Sequence, residues 1–261
     1  MKRNELRAML LEQPYDALVL TSEISRRYAT GFHSTAGAVY LSAKQAVFFT
    51  DFRYVEAAHA AIKDFEVREI KAGQSYSALI NELIDEDGAK KVALEDKTLT
   101  YAEFMSWGTA LHATAVRLED GVEQLRMCKE EDEVEKIVAA QRIAEQALEE
   151  VLNDIKVGVT EKEIAARLTY LMLHYGAENM SFDPIVVSGA NSSKPHGVPG
   201  EKTIEAGDFV TMDFGCIYVG YDAHGRGRPC HRRDADRVRH GAERTACRHC
   251  CLQGRCDRSG R

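Results

Sequence analysis

The chain has 261 residues, 44% hydrophobic and 29% charged, a composition that suits a globular protein of one or two domains. Its net charge of -7 is unevenly placed: residues 222–261 carry eleven Arg against five acidic residues, a sum of +6, so residues 1–221 carry -13. An acidic body argues against nucleic-acid binding by the folded part, and no stretch approaching eighteen apolar residues is present to span a membrane as a helix.

Met1 to Arg7 has no apolar run behind it, because Glu12 and Pro14 intervene, so no signal peptide is read. Only Cys128 and Cys216 fall in the body, which suits a reducing compartment, and the expected location is the cytoplasm. Ala17–Leu20 reads as a buried strand. Ala38–Leu41 and Ala46–Phe49 bracket a Ser-Ala-Lys-Gln turn and read as a hairpin. A helix over 54–62, a half-exposed strand over 66–70, a helix over 76–84, a strand over 91–94, a helix over 101–111 and a strand over 115–118 follow. This alternation predicts an α/β sandwich over residues 1–122.

The pattern changes near Asp120-Gly121, where a domain boundary is placed. Val134, Ile137, Val138, Ala144, Leu148, Val151 and Leu152 recur at helical spacing, predicting a helix over 130–155. Thr160 with Glu163 forms a capping box for a second helix, whose stripe is Ile164, Leu168, Leu171 and Met172 and whose end is marked by Gly176. Strands are predicted over 185–187 and 209–212, and Cys216–Tyr221 reads as the return strand of a hairpin. No internal repeat is present.

Asp213 sits among Phe209, Val210, Met212 and Phe214. A carboxylate there is costly to desolvate unless it meets a cation or several donors. A divalent metal suits an oxygen ligand; the alternative is a strand-end Asp accepting backbone hydrogen bonds. A hairpin turning near Tyr218 and Val219 would set position 224 directly across from position 213, with Cβ atoms ~4.5–5.5 Å apart, close enough for two carboxylates to share a pair of ions. Position 224 is His, and Asp222 falls one pair out of register. His196 lies between Pro195 and Gly197 in a loop stiffened by two prolines. Held rigidly, it can donate to a developing oxyanion; the alternative is an ordinary surface histidine.

Several segments, taken in order, carry a resemblance. They are Thr50-Asp51-Phe52-Arg53-Tyr54, Glu130-Glu131-Asp132-Glu133, Ser181 through Gly189, Asn191 through His196, and Val210-Thr211-Met212-Asp213-Phe214-Gly215. Residues 1–221 resemble the Xaa-Pro aminopeptidases and Xaa-Pro dipeptidases of the pita-bread metallopeptidases. The resemblance implies an N-terminal creatinase-like α/β domain over 1–122, followed over 123–221 by the first half of an α+β pita-bread domain. It implies a two-ion site of manganese, cobalt or zinc, held by two Asp, one His and two Glu, with a bridging hydroxide as nucleophile. Asp213 matches the first Asp, and His196 matches the histidine that steadies the tetrahedral intermediate. The second Asp would fall at position 224, and the remaining ligands are not found.

Residues 222–261 are read as a separate Arg- and Cys-rich tail, expected to be disordered for want of large aliphatic residues. An altered reading frame, a small metal module built on Cys247, His249, Cys250, Cys251 and Cys256, and a basic arm are the three accounts of it. The implied activity is metal-dependent hydrolysis of Xaa-Pro bonds in proline-containing peptides by a homodimer. This chain is expected to be weakly active or inactive, because most ligands are absent and ions are lost or weakly held. Two alternatives are a non-catalytic pita-bread binding module and a creatinase-like hydrolase of a small non-peptide substrate.

Overall fold

The computed structural model describes residues 2–227. Residues 1–128 form one compact unit, and a second begins at Lys129.

The first unit holds a six-stranded sheet built from β1 (Ala17–Leu20), β2 (Ala38–Ser42), β3 (Ala46–Thr50), β4 (Glu66–Glu69), β5 (Lys91–Leu94) and β6 (Thr114–Arg117), in the order β4-β3-β2-β1-β5-β6. The β1–β2 and β2–β3 pairs are antiparallel, and the three others are parallel. Successive side chains of a strand point to opposite faces, and both faces are covered. Leu18, Leu20, Val39, Leu41 and Phe48 pack into one apolar cluster with Leu6, Leu10, Tyr28 and Ala58. Ala17, Val19, Tyr40, Val47 and Phe49 pack into another with Ile80, Leu83 and Ile84. That two-sided burial is why these strands read as unbroken apolar runs.

The helices expected in this unit are α3 (Val55–Ala61), α4 (Tyr76–Asp87) and α5 (Tyr101–Ala110). Three more were not expected: α1 (Lys2–Leu11), α2 (Glu23–Thr30) and α6 (Gly121–Met127). Among its described side chains the first buries Leu6 and Leu10, a stripe too thin to stand out beside its charged residues. The second is short, although its signals are present: Ser22 caps it, accepting from the Ser25 N–H, and Gly31 ends it at φ 71°. The third places Val122 and Leu125 in the first apolar cluster. That packing holds residues 121–127 in the first unit, so the division falls after Cys128 rather than near residue 122.

The second unit sets α7 (Glu131–Val151) and α8 (Glu161–His174) against a sheet of β7 (Asn179–Met180), β8 (Ile185–Ser188), β9 (Val210–Tyr218) and β10 (Tyr221–Gly227). Strand β9 is central: β10 flanks it on one side, and β7 and β8 follow one another along the other. Its residues Val210, Met212, Phe214 and Cys216 are buried with Ala140, Ala144, Ala147 and Val151 of α7 and Leu168, Leu171 and Met172 of α8. The alternate residues Thr211, Asp213 and Ile217 are half-buried and face away from that core.

Two expectations are corrected here. Residues 222–227 do not begin a separate tail; they continue β10, fully paired with β9 from Asp222↔Ile217 to Gly227↔Met212, and Ala223 is buried against the helices. The remaining part of the tail, residues 228–261, lies outside the described residues. Position 224 is not opposite Asp213 either. The turn consists of Val219 and Gly220, both at positive φ, of 48° and 76°. Tyr218 and Tyr221 close it, so His224 falls opposite Gly215 and Arg226 opposite Asp213. A turn centred one residue later moves every partner by two, which puts positions 213 and 224 on the diagonal, ~7–8 Å apart in a regular ladder.

Candidate active site

Asp213 occupies the middle of the central strand, between Ile185 of β8 and Arg226 of β10. It is half-buried, with Oδ1 shielded from solvent. Gly215, two residues on, shares its face. A Cβ at Gly215 would stand 2.4 Å from the Ala223 carbonyl oxygen and 3.2 Å from Ser181 Oγ, so glycine is needed for β10 to approach here. Ser181 Oγ is itself shielded beside this face, with no hydrogen-bond partner among the described residues.

His196 is exposed, in a turn in which the Gly197 N–H donates to the Lys194 carbonyl at 3.2 Å. The loop that carries it leaves β8 at Ser188, which pairs with Val210 three residues before Asp213. At a strand rise of ~3.4 Å per residue, the loop departs about 10 Å along β9 from the carboxylate. Gly197 is buried, and a Cβ there would lie 2.7 Å from Val187 Cγ1, so the loop folds back onto β8 immediately beyond the histidine.

What holds this loop was not found from the sequence. Glu161, at the start of α8, is fully buried. Its Oε1 accepts from the Ser188 N–H at 2.7 Å, Ser188 Oγ at 3.0 Å and Asn191 Nδ2 at 3.1 Å, and its Oε2 accepts from the Gly200 N–H at 3.2 Å. Burial acts to raise its pKa, but the donors from Asn191, Ser188 and Gly200 outweigh burial and hold the carboxyl below its ordinary value. Lys202 Nζ donates to Ser188 Oγ at 3.1 Å and to Asp208 Oδ2 at 2.7 Å. Asp208 in turn crowds Gly189, where a Cβ would stand 2.5 Å from its Oδ1 and φ is 52°. In the sequence Glu161 looks like one more acid in the first turn of a helix: the spacing from Thr160 marks Glu163 for the capping box, and no local pattern marks Glu161.

On the helix-packed side of the sheet, Glu133 ties the start of α7 to the hairpin. It completes a capping box with Glu130 and accepts from Tyr221 Oη at 2.7 Å.

Among the described residues, no three His, Cys, Asp or Glu side chains converge as metal donors. These residues by themselves therefore do not fit a two-ion centre, and no chemical step is assigned to a metal. What they supply is one half-buried carboxylate on the face of a central strand turned away from the helices, and one imidazole on a loop fastened at both ends.

Residues 2–128 match the Creatinase/Prolidase N-terminal domain, and residues 135–224 match Metallopeptidase family M24. The chain is 37% identical over 222 residues to the "Uncharacterized peptidase YqhT" of Bacillus subtilis, covering 85% of this chain and 62% of that protein. Its structure resembles a Xaa-Pro dipeptidase from Bacillus anthracis, with a TM-score of 0.82 and 39% identity over 88% of this chain and 64% of that one. It also resembles an X-Pro aminopeptidase from Thermotoga maritima, with a TM-score of 0.78 and 34% identity over 83% and 63% of the two chains. The chain thus spans less than two thirds of the length of each of these relatives. The expected family and fold are borne out in both units: a creatinase-type N-terminal domain over residues 2–128 is followed by part of a pita-bread domain that matches Metallopeptidase family M24 over residues 135–224.

Proposed function

We propose that the activity to which this chain belongs is hydrolysis of the peptide bond preceding proline. The observation that carries this reading is the pairing of Asp213, central in β9, with a His196 loop that leaves the adjoining strand β8, in a fold shared with Xaa-Pro peptidases. The roles follow from chemistry. A histidine held beside a scissile carbonyl can donate to the oxyanion as it forms, an interaction stronger in the transition state than in the ground state. Asp213 is the residue we assign to metal ligation, the family's use of divalent ions being the basis. Manganese, cobalt and zinc remain the proposed ions, and proline-containing peptides the proposed substrates.

For this chain we infer weak turnover or none. One carboxylate offers too few oxygens for two ions, and a metal-assisted hydrolase without its ions has lost its nucleophile. The basis is the donor set around Asp213, where His224 stands at the position matched to the second Asp.

The test incubates the purified chain with Mn²⁺ and either a Xaa-Pro dipeptide or a dipeptide lacking proline, and follows amino-acid release and bound metal together. The expected result is less than one ion per chain, and release at or near background that is confined to the proline dipeptide. Two tightly held ions with rapid release would overturn the weak-activity part. Equal release from both dipeptides would overturn the proline specificity.

A further inference from the structure

Glu161 is set up to do more than start a helix. That task already falls to Thr160 and Glu163, whose capping box satisfies the first turn of α8 without it. Instead, both Glu161 oxygens are aimed across the unit at the segment 188–200. They collect the Ser188 N–H and hydroxyl at its beginning, Asn191 Nδ2 in its first turn and the Gly200 N–H at its end. His196 lies between the second and third of these attachments. Its own neighbours Lys194 and Pro195 are exposed, and the other fixed points nearby are Gly197 against Val187 and Ser192, whose Oγ donates to the Val187 and Phe209 carbonyls. A buried, ionised carboxylate is costly to desolvate and persists only where several donors meet it. Here the donors all belong to the histidine's loop.

We propose that Glu161 is a positioning residue: its buried carboxylate binds Ser188, Asn191 and Gly200 to the start of α8 and so fixes where the His196 ring stands. Lys202 supports the same attachment from the other side, through Ser188 Oγ and Asp208. This inference rests on the reading of His196 as the oxyanion donor.

The test compares the parent chain with Glu161→Gln, His196→Ala and the double variant. The first readout needs no activity. The ring C–H signals of His196 are assigned in NMR spectra by their loss in His196→Ala. In Glu161→Gln they are expected to shift and broaden, while those of His33, His59 and His112 in the first unit stay in place. Unchanged His196 signals in a Glu161→Gln chain that circular dichroism shows to be folded would overturn the proposal. The second readout uses a Xaa-Pro dipeptide. Glu161→Gln is expected to lower kcat between about 10- and 100-fold, the scale of an ångström-sized misplacement, with KM nearly unchanged, and the double variant to be no slower than His196→Ala alone. Independent, multiplying losses in the double variant would overturn it, since residues acting as one unit are not additive. A parent chain with no measurable turnover agrees with the weak-activity reading above, and the NMR comparison alone then decides the positioning role.

Discussion

A carboxylate without solvent exposure is stable in a fold only while its donors stay in place. Glu161, held below the ordinary carboxyl value by the hydrogen bonds it accepts, contributes stability wherever the unfolded chain would also be ionised, that is, above about pH 4.5. That contribution drains away as the pH falls below 4.5 toward the lower folded value. Thermal unfolding of the second unit followed between pH 7 and pH 3 is expected to show a declining midpoint below about 4.5, with a shallower decline in Glu161→Gln. Glu161→Ala, which strands four donors, is expected to cost about 3 kcal/mol or more at pH 7 in urea titrations. Cys216 gives a second residue-scale expectation. It is buried, donates to the Ala140 carbonyl at 3.3 Å, and burial pushes its thiol up to about 11. The thiolate is the reactive form. Iodoacetamide at pH 8 is therefore expected to label exposed Cys128 within minutes and Cys216 only after denaturation, as read by peptide mass mapping.

Among the elements, the β9–β10 hairpin shows where strain is held. Its two-residue turn needs positive φ at both positions, a conformation that Asn-Gly meets well. Gly220 accepts it freely, whereas Val219, a β-branched residue at φ 48°, does not. Val219→Asn is expected to stabilise the second unit by about 1 kcal/mol, the lower range of a released backbone outlier, and to show as a higher urea midpoint. The same valine explains why the register was misread from sequence. Val-Gly is a weak turn signal, and placing the turn one residue early moved His224 onto Asp213. The strong periodic segments were legible: β1, the β2–β3 hairpin and helices α7 and α8 announce themselves by alternation, apolar stripe and capping box. Helices α1 and α2 were not, because two buried leucines or an eight-residue span leave too little pattern. Asp213 and His196, the residues proposed for the site, stand out in the sequence as types in unusual surroundings. Glu161 does not, since its partners are 27 and 39 residues away in the chain.

For the molecule as a whole, the first unit owns both of its apolar clusters, one on each face of its sheet. A layer architecture complete in itself is the condition for independent folding. A fragment of residues 1–128 is therefore expected to fold alone, giving a single cooperative denaturation and dispersed amide NMR signals. Broad, poorly dispersed signals would show that the boundary after Cys128 is misplaced.

The diagonal relation of positions 213 and 224 also bears on which sequence changes this site can survive. The two strands act as a ruler with a two-residue unit. One residue inserted or deleted between Phe214 and Ala223 without a compensating bulge sends every later side chain through the sheet. Position 224 would then enter the helix-packed side, and buried Ala223 would give way to its polar neighbour. Length variation in this hairpin is thus confined to the tip around Val219, where a longer turn leaves the spacing along each strand intact.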